Sequence, residues 1–247
     1  MLLTALLTLS ASALADEVVQ KAASRRVFFG HQSVGANILD GVNDVTSGKL
    51  RIREGRTAAL LESPGLLHAR LGENEAPLTK LADFEAALDG LAGHVDIAFF
   101  KFCYVDFDAA TDADALFRAY AETLERLQKK YPEITFVHLT VPLTVVARGP
   151  KAWLKQALTQ EAPWGAKENE IRHRFNSLLR TRFEGQPVFD LAALESTRPD
   201  GTAACYEFRG NTLPALVPEY SDDGQHLNPV GRRRVAEALL TFLARLP

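Results

Sequence analysis

Three side chains near the two ends of the chain have the types and settings for chemistry: Ser33, Asp223 and His226. Val27-Phe28-Phe29-Gly30-His31-Gln32-Ser33-Val34-Gly35 reads as an apolar strand running into a glycine-flanked turn that carries a serine. Asp223-Gly224-Gln225-His226-Leu227-Asn228-Pro229 places an acid three residues before a histidine, just ahead of a helix. A serine hydroxyl is a poor nucleophile at neutral pH. An imidazole must accept its proton, and a carboxylate commonly fixes the tautomer of that imidazole. The parts therefore suit serine-based acyl transfer. Ser33 sits where a helix begins, so its N–H can face a developing oxyanion. Each residue also has a plainer role open to it. Ser33 suits a helix N-cap, His226 a surface or capping position, and Asp223 a turn in which Asp222 competes with it.

Other chemistries find less support. His31, His68, His94, His138, His173 and His226 show no His-x-x-x-His spacing, and Cys103 and Cys205 form no Cys-x-x-Cys. Without those patterns, a phosphate loop or a dinucleotide glycine fingerprint, no metal and no cofactor is expected. Cys103 with His226 as base is a minor alternative nucleophile. The two cysteines could be bridged in an oxidising compartment or remain free thiols. With a net charge of −3 and one basic run, Arg232-Arg233-Arg234, set on a helix, no nucleic-acid partner is expected.

Met1 to Ala15 holds no charged side chain and ends in Ala13-Leu14-Ala15 before Asp16-Glu17. It reads as a signal peptide cleaved after Ala15, which implies a secreted or periplasmic protein. The run is too short for a membrane span. Residues 16–247 are expected to form one α/β domain.

Strand and helix patterns alternate along that domain. Strands are expected at Arg26 to Phe29, Leu50 to Glu54, Val95 to Phe100, Ile134 to Val141 and Val188 to Leu191. Helices are expected at Gln32 to Val42, Pro77 to Leu91, Ala113 to Tyr131, Asn169 to Phe183 and from Pro229 onward. The helix at Pro77 carries Leu78, Leu81, Phe84 and Leu88 at helical spacing. This alternation predicts a mostly parallel sheet of about five strands with helices on both faces, a three-layer α/β/α sandwich. Functional residues in such sheets lie beyond the carboxyl ends of the strands, so Ser33 and the segment Lys101 to Tyr104 should converge on one edge. Ala147 to Lys167 and Thr197 to Gly224 lack periodicity. They hold Trp153, Trp164, Tyr206 and Tyr220 and could wall a substrate site or simply cover the sheet edge.

This order of elements, with Ser33 after the first strand and Asp223-Gly224-Gln225-His226 before the last helix, resembles the SGNH (GDSL-like) hydrolase superfamily and its flavodoxin-like fold. The resemblance implies Ser33 as nucleophile, His226 as general base and Asp223 as its orienter. It also implies an oxyanion hole from the Ser33 N–H, a glycine after the second strand and an asparagine after the third. The glycine has a candidate in Gly72. Lys101-Phe102-Cys103-Tyr104 stands where the family's asparagine would be, and Asn74 is the candidate replacement. Lys101 and Gln32 are further possible donors, and His31, Gln32, Lys101 and Cys103 are possible pocket residues. The implied activity is hydrolysis of a small acyl ester, such as a carbohydrate O-acetyl group, by an exported serine esterase. Acyl transfer on the same triad and a catalytically weak glycan-binding module are the alternatives. The expected partner is a small-molecule or glycan ester, and the oligomeric state is left open.

Overall fold

The computed structural model describes residues 16–147, 149, 158, 159 and 161–247. The expected signal segment and Trp153 lie outside them. A short helix α1 over residues 16–23 leads into the first strand. The central sheet contains β1 (Arg26–His31), β2 (Ile52–Glu54), β3 (Gly65–Arg70), β4 (Ile97–Phe100) and β5 (Thr135–Phe136), in the order β2-β3-β1-β4-β5. All pairings are parallel, and Phe28 of β1 lies between Leu67 of β3 and Ala98 of β4. Beyond β5 the ladder continues: Val137 donates to the Ala98 carbonyl at 3.1 Å, and β6 (His138–Leu139) pairs with β7 (Val188–Phe189).

The five expected strands correspond to β1, β2, β4, β5 with β6, and β7. One central strand, β3, was absent from the expectation. Gly-Leu-Leu-His-Ala-Arg has no β-branched residue, and its strand conformation comes from pairing with β1 and β2 rather than from local preference. Within Thr197 to Gly224, β8 (Cys205–Phe208) and β9 (Asn211–Pro214) form an antiparallel hairpin. Its two linking residues, Arg209 and Gly210, both have positive φ, +51° and +77°, as the tight hairpin turn demands. Both cysteines are free thiols, Cys103 buried after β4 and Cys205 on β8.

Strand alternation divides the core. Val27, Phe29, Ile97 and Phe99 face the layer of α2 (Ser33–Thr46) and α7 (Pro229–Arg245), meeting Val34, Ile38, Val42, Val235, Leu239 and Leu243. Phe28, Leu67, Ala98 and Phe100 face α3 (Pro77–Asp89), α4 (Ala113–Lys130) and α5 (Ala166–Arg182). A shorter helix, α6 (Leu191–Ser196), follows β7. Local signals set the helix starts: Asp112 caps α4 by accepting from Ala115, and Asn228 caps α7 by accepting from Val230 and Gly231. Helices α2 and α7 cross closely at Gly41, where a Cβ would come within 2.5 Å of the Arg232 carbonyl. The Arg232 to Arg234 run is locally paired: Arg232 with Asp44, Arg233 with Glu237, and Arg234 with the Leu194 carbonyl. Helix α3 is rotated from the expected stripe. Leu78 is 60% exposed, while Lys80 is buried with Leu81, Phe84 and Leu88.

Phe84 is fully buried against Phe28, Phe100 and Phe136. Phe84→Ala should therefore cost about 3–5 kcal/mol, read as a lower urea midpoint at unchanged slope. Two buried histidines make stability fall with acid. Burial pushes His138 down to about 4, partly countered by its hydrogen bond to Gln186. Burial likewise takes His31 to about 4 against the opposing bond to the Gln32 carbonyl. Both rings are neutral in the fold between that value and the ordinary 6.5, whereas the unfolded chain binds protons there. Stability is thus present above about pH 6.5 and lost as pH falls toward 4. Thermal melts should show a lower midpoint at pH 5 than at pH 7.5, and His138→Gln should shrink that difference.

Candidate active site

The carboxyl edge of the sheet brings Ser33, His226 and Asp223 into one hydrogen-bonded line. Strand β1 ends at His31, Gln32 is extended, and Ser33 opens α2. Ser33 Oγ lies 3.0 Å from His226 Nε2, and His226 Nδ1 lies 2.7 Å from Asp223 Oδ2. The turn before α7 builds the acid's position. Gly224 takes φ +81°, and Asp223 Oδ1 accepts the N–H groups of Gln225 and His226, each at 2.8 Å. The other carboxylate oxygen is thereby aimed at the ring. Burial pushes the Asp223 carboxyl up, but those N–H bonds and the His226 ring outweigh it and hold it well below the usual carboxylate range. An ionised Asp223 needs a donor, so Nδ1 carries the proton and Nε2 presents its lone pair to the serine hydroxyl. Asp222 is engaged elsewhere, accepting from Asn228 Nδ2 at 3.1 Å.

The array is open. The side chains of His226 and Asp223 are 37% and 52% exposed. Tyr104, on the loop after β4, meets His226 edge-on, its hydroxyl 3.4 Å from Nε2. The Tyr104 carbonyl accepts from buried Arg172 of α5, which also donates to Asn169 Oδ1 and Thr144 Oγ1. A cavity of about 230 Å³ is lined by Tyr104, Thr144, Trp164, Glu168, Arg172 and Gln225, of which Tyr104 also touches His226. Sequence reasoning brought the segment ending in Tyr104 to this edge but gave Tyr104 no role of its own; a tyrosine at the carboxyl end of a buried strand was the available signal.

The candidate oxyanion donors separate by what they already bond. The Ser33 N–H has no partner among the described residues. Gly72 is expected to donate, and its N–H goes to Asp83 Oδ2 at 2.8 Å. Its φ of +55° and its approach to α3, where a Cβ would come within 2.6 Å of the Lys80 nitrogen, explain the glycine. Gln32 uses its amide to bind the Leu71 and Gly72 carbonyls at 3.0 and 2.8 Å, tying the loop after β3 to the residue before Ser33. Asn74, exposed on that loop, accepts from Lys80 Nζ at 3.2 Å through Oδ1.

The other pocket candidates are walled in. Lys101 is 1% exposed, with Nζ near the Phe102 carbonyl and Cys103 Sγ. Burial lowers its pKa. Cys103 is fully buried. His31 is buried against Phe29 and bonded to His68, Nε2 to Nδ1 at 3.0 Å. Since His31 Nδ1 must donate to the Gln32 carbonyl, its Nε2 accepts from His68. All three side chains are buried. Two buried residues that sequence reasoning missed, Lys80 and Asp106, form an ion pair whose side chains are 1% and 0% exposed. The only sequence signal was a lysine next to an apolar stripe, which ordinarily marks a solvated flank. Among the described residues, no three His, Cys, Asp or Glu side chains gather as a metal site.

No protein-family model and no curated protein matches the sequence. Solved structures do match. A Streptococcus pneumonia protein provisionally described as a platelet activating factor is 16% identical, covering 97% of this chain and 98% of its own, with a TM-score of 0.53. A Desulfitobacterium hafniense DCB-2 protein, provisionally described as a lipolytic protein of the G-D-S-L family, is 9% identical over 87% of this chain and 98% of its own, with a TM-score of 0.51. A Slackia heliotrinireducens protein provisionally described as an SGNH hydrolase is similar more loosely, 17% identical over 87% and 95% with a TM-score of 0.48. At such identities the likeness speaks to architecture. The parallel sheet, its flanking helices and the two matches with TM-scores above 0.5 together give the chain the fold of the SGNH (GDSL-like) hydrolases.

Proposed function

We propose that the protein is a serine esterase that hydrolyses a small acyl ester through a covalent acyl-enzyme. The observation that carries this reading is the unbroken line Ser33 Oγ, His226 Nε2, His226 Nδ1, Asp223 Oδ2, with separations of 3.0 and 2.7 Å. In this reaction Ser33 Oγ attacks the ester carbonyl while Nε2 takes its proton. The imidazolium formed is stabilised by Asp223 and then gives the proton to the departing alkoxide. Water, deprotonated by the same Nε2, attacks the acyl-serine; the acyl–Oγ bond breaks, Ser33 Oγ takes the proton from the imidazolium and the acid leaves. Negative charge on the carbonyl oxygen is met by the Ser33 N–H and the NH2 group of Asn74, whose Oδ1 is held by Lys80.

The exposed array favours an ester on an accessible alcohol. A cavity of about 230 Å³ is below the roughly 300–1,000 Å³ of pockets that enclose drug-sized ligands. Trp164, half exposed at its rim, suits stacking on a sugar ring, so a carbohydrate O-acetyl ester is the preferred substrate class. Export after removal of residues 1–15 belongs to the same proposal.

Intact-mass labelling with a fluorophosphonate tests the nucleophile. Wild type should gain one adduct and Ser33→Ala none; labelling that survives the substitution would assign the chemistry elsewhere. Asp223→Asn should lower kcat on a short-chain nitrophenyl ester by roughly three to four orders of magnitude, because the ring loses its fixed tautomer. Free acid as the main product, even with sugar acceptors present, distinguishes hydrolysis from transfer.

A further inference from the structure

Asn74 can serve as a donor only if its NH2 group faces the reacting centre and stays there. It lies on an exposed loop, where an amide ordinarily flips and samples rotamers. Three observations converge on what holds it. Lys80 Nζ contacts Asn74 Oδ1 at 3.2 Å, and an ammonium can only donate. The amide oxygen must therefore face Lys80, which turns the NH2 group away from α3. Lys80 itself has no freedom, because its remaining protons go to Asp106 Oδ1 and Oδ2 at 2.6 and 2.5 Å in a fully buried pair. Asp106 then grips the two loops on either side. Its Oδ1 accepts the Glu75 N–H at 3.0 Å, and its Oδ2 accepts the Cys103 N–H at 2.7 Å.

The backbone beside Asn74 is strained in a way this grip explains. Glu75 adopts φ +66°, a left-handed conformation that costs a non-glycine residue free energy. Its N–H is the one bound by Asp106. Glu73 and Ala76 close the loop by an isolated bridge. On the other side, Gln32 fastens the Gly72 carbonyl to the residue preceding Ser33. Breaking a buried ion pair is costly, yet such pairs often add little to stability over an apolar replacement. Holding a geometry is the better account of this one.

We infer that the buried Lys80–Asp106 pair is a positioning device that orients the Asn74 amide as the second oxyanion donor. The inference rests on the esterase reading above and adds two residues to it. Neither Lys80 nor Asp106 touches substrate; both act through Asn74 and its loop.

A double-mutant cycle tests it, using kcat and KM on a short-chain nitrophenyl ester, with circular dichroism to confirm folding. Asn74→Ala should lower kcat roughly 100- to 1,000-fold, the usual loss for one oxyanion donor. Lys80→Met should lower kcat at least tenfold with KM within about threefold. If the methionine variant does not fold, Lys80→Gln, which keeps one donor, takes its place. In the Asn74→Ala background the Lys80 substitution should cost less than twofold, because there is no amide left to orient. Asn74→Asp should keep the contact with Lys80 and still lose kcat as Asn74→Ala does. Independent, multiplying losses would show a merely structural role and overturn the proposal, as would an unchanged kcat in either single variant. An active wild type whose labelling depends on Ser33 separates that failure from failure of the esterase reading, which takes both down.

Discussion

The carboxylate of Asp106 is the point on which the arrangement of this edge depends. It is buried and satisfied by four donors' worth of contacts: two from Lys80, one from the Glu75 N–H and one from the Cys103 N–H. Those groups belong to a helix and two loops that follow different strands. In water a carboxylate would exchange such partners freely. Buried, each lost partner leaves a charge or a polar group uncompensated, so the three segments move together or not at all. The loops after β3 and β4 therefore have one relative position, and the shape of the edge around Ser33 follows from it.

A second constraint works at the other end of the chain. Asp223 spends one oxygen on the N–H groups of Gln225 and His226 and the other on the His226 ring. One short turn thus fixes both the acid and the histidine. Asn228, by capping α7 and binding Asp222, holds the turn to the helix and removes the competing acid. The packing of α2 against α7 then carries this turn to the serine. The tightness of that crossing depends on Gly41 and on the ion pair between Arg232 and Asp44.

Much of the fold could be read because its signals are local. Ile134 to Val141 and Val95 to Phe100 are unbroken apolar runs, as buried parallel strands are. The stripe Leu116, Tyr120, Leu124 and Leu127 marks α4, and Asn228-Pro229 marks the start of α7. Strand β3 escaped because Leu66-Leu67-His68-Ala69 has no strand bias of its own. The β8–β9 hairpin escaped because Arg209 takes a conformation usually left to asparagine or glycine. Leu78 misled because its spacing fits the apolar stripe, whereas α3 turns to bury Lys80.

The sequence by itself determined the alternation of strands and helices, the serine at the end of β1, and the Asp-x-x-His turn, since each rests on residues close together in the chain. It also carried the resemblance that named the fold. Only the tertiary structure decided which partners the oxyanion candidates bond. Gly72 is spoken for by Asp83, Gln32 by two carbonyls, and Lys101 by burial, while Asn74 is held by Lys80. Each of those outcomes depends on a partner from another element or loop. Whether a hydrogen-bonding group is free or occupied is a property of the packed chain, not of the residue that bears it.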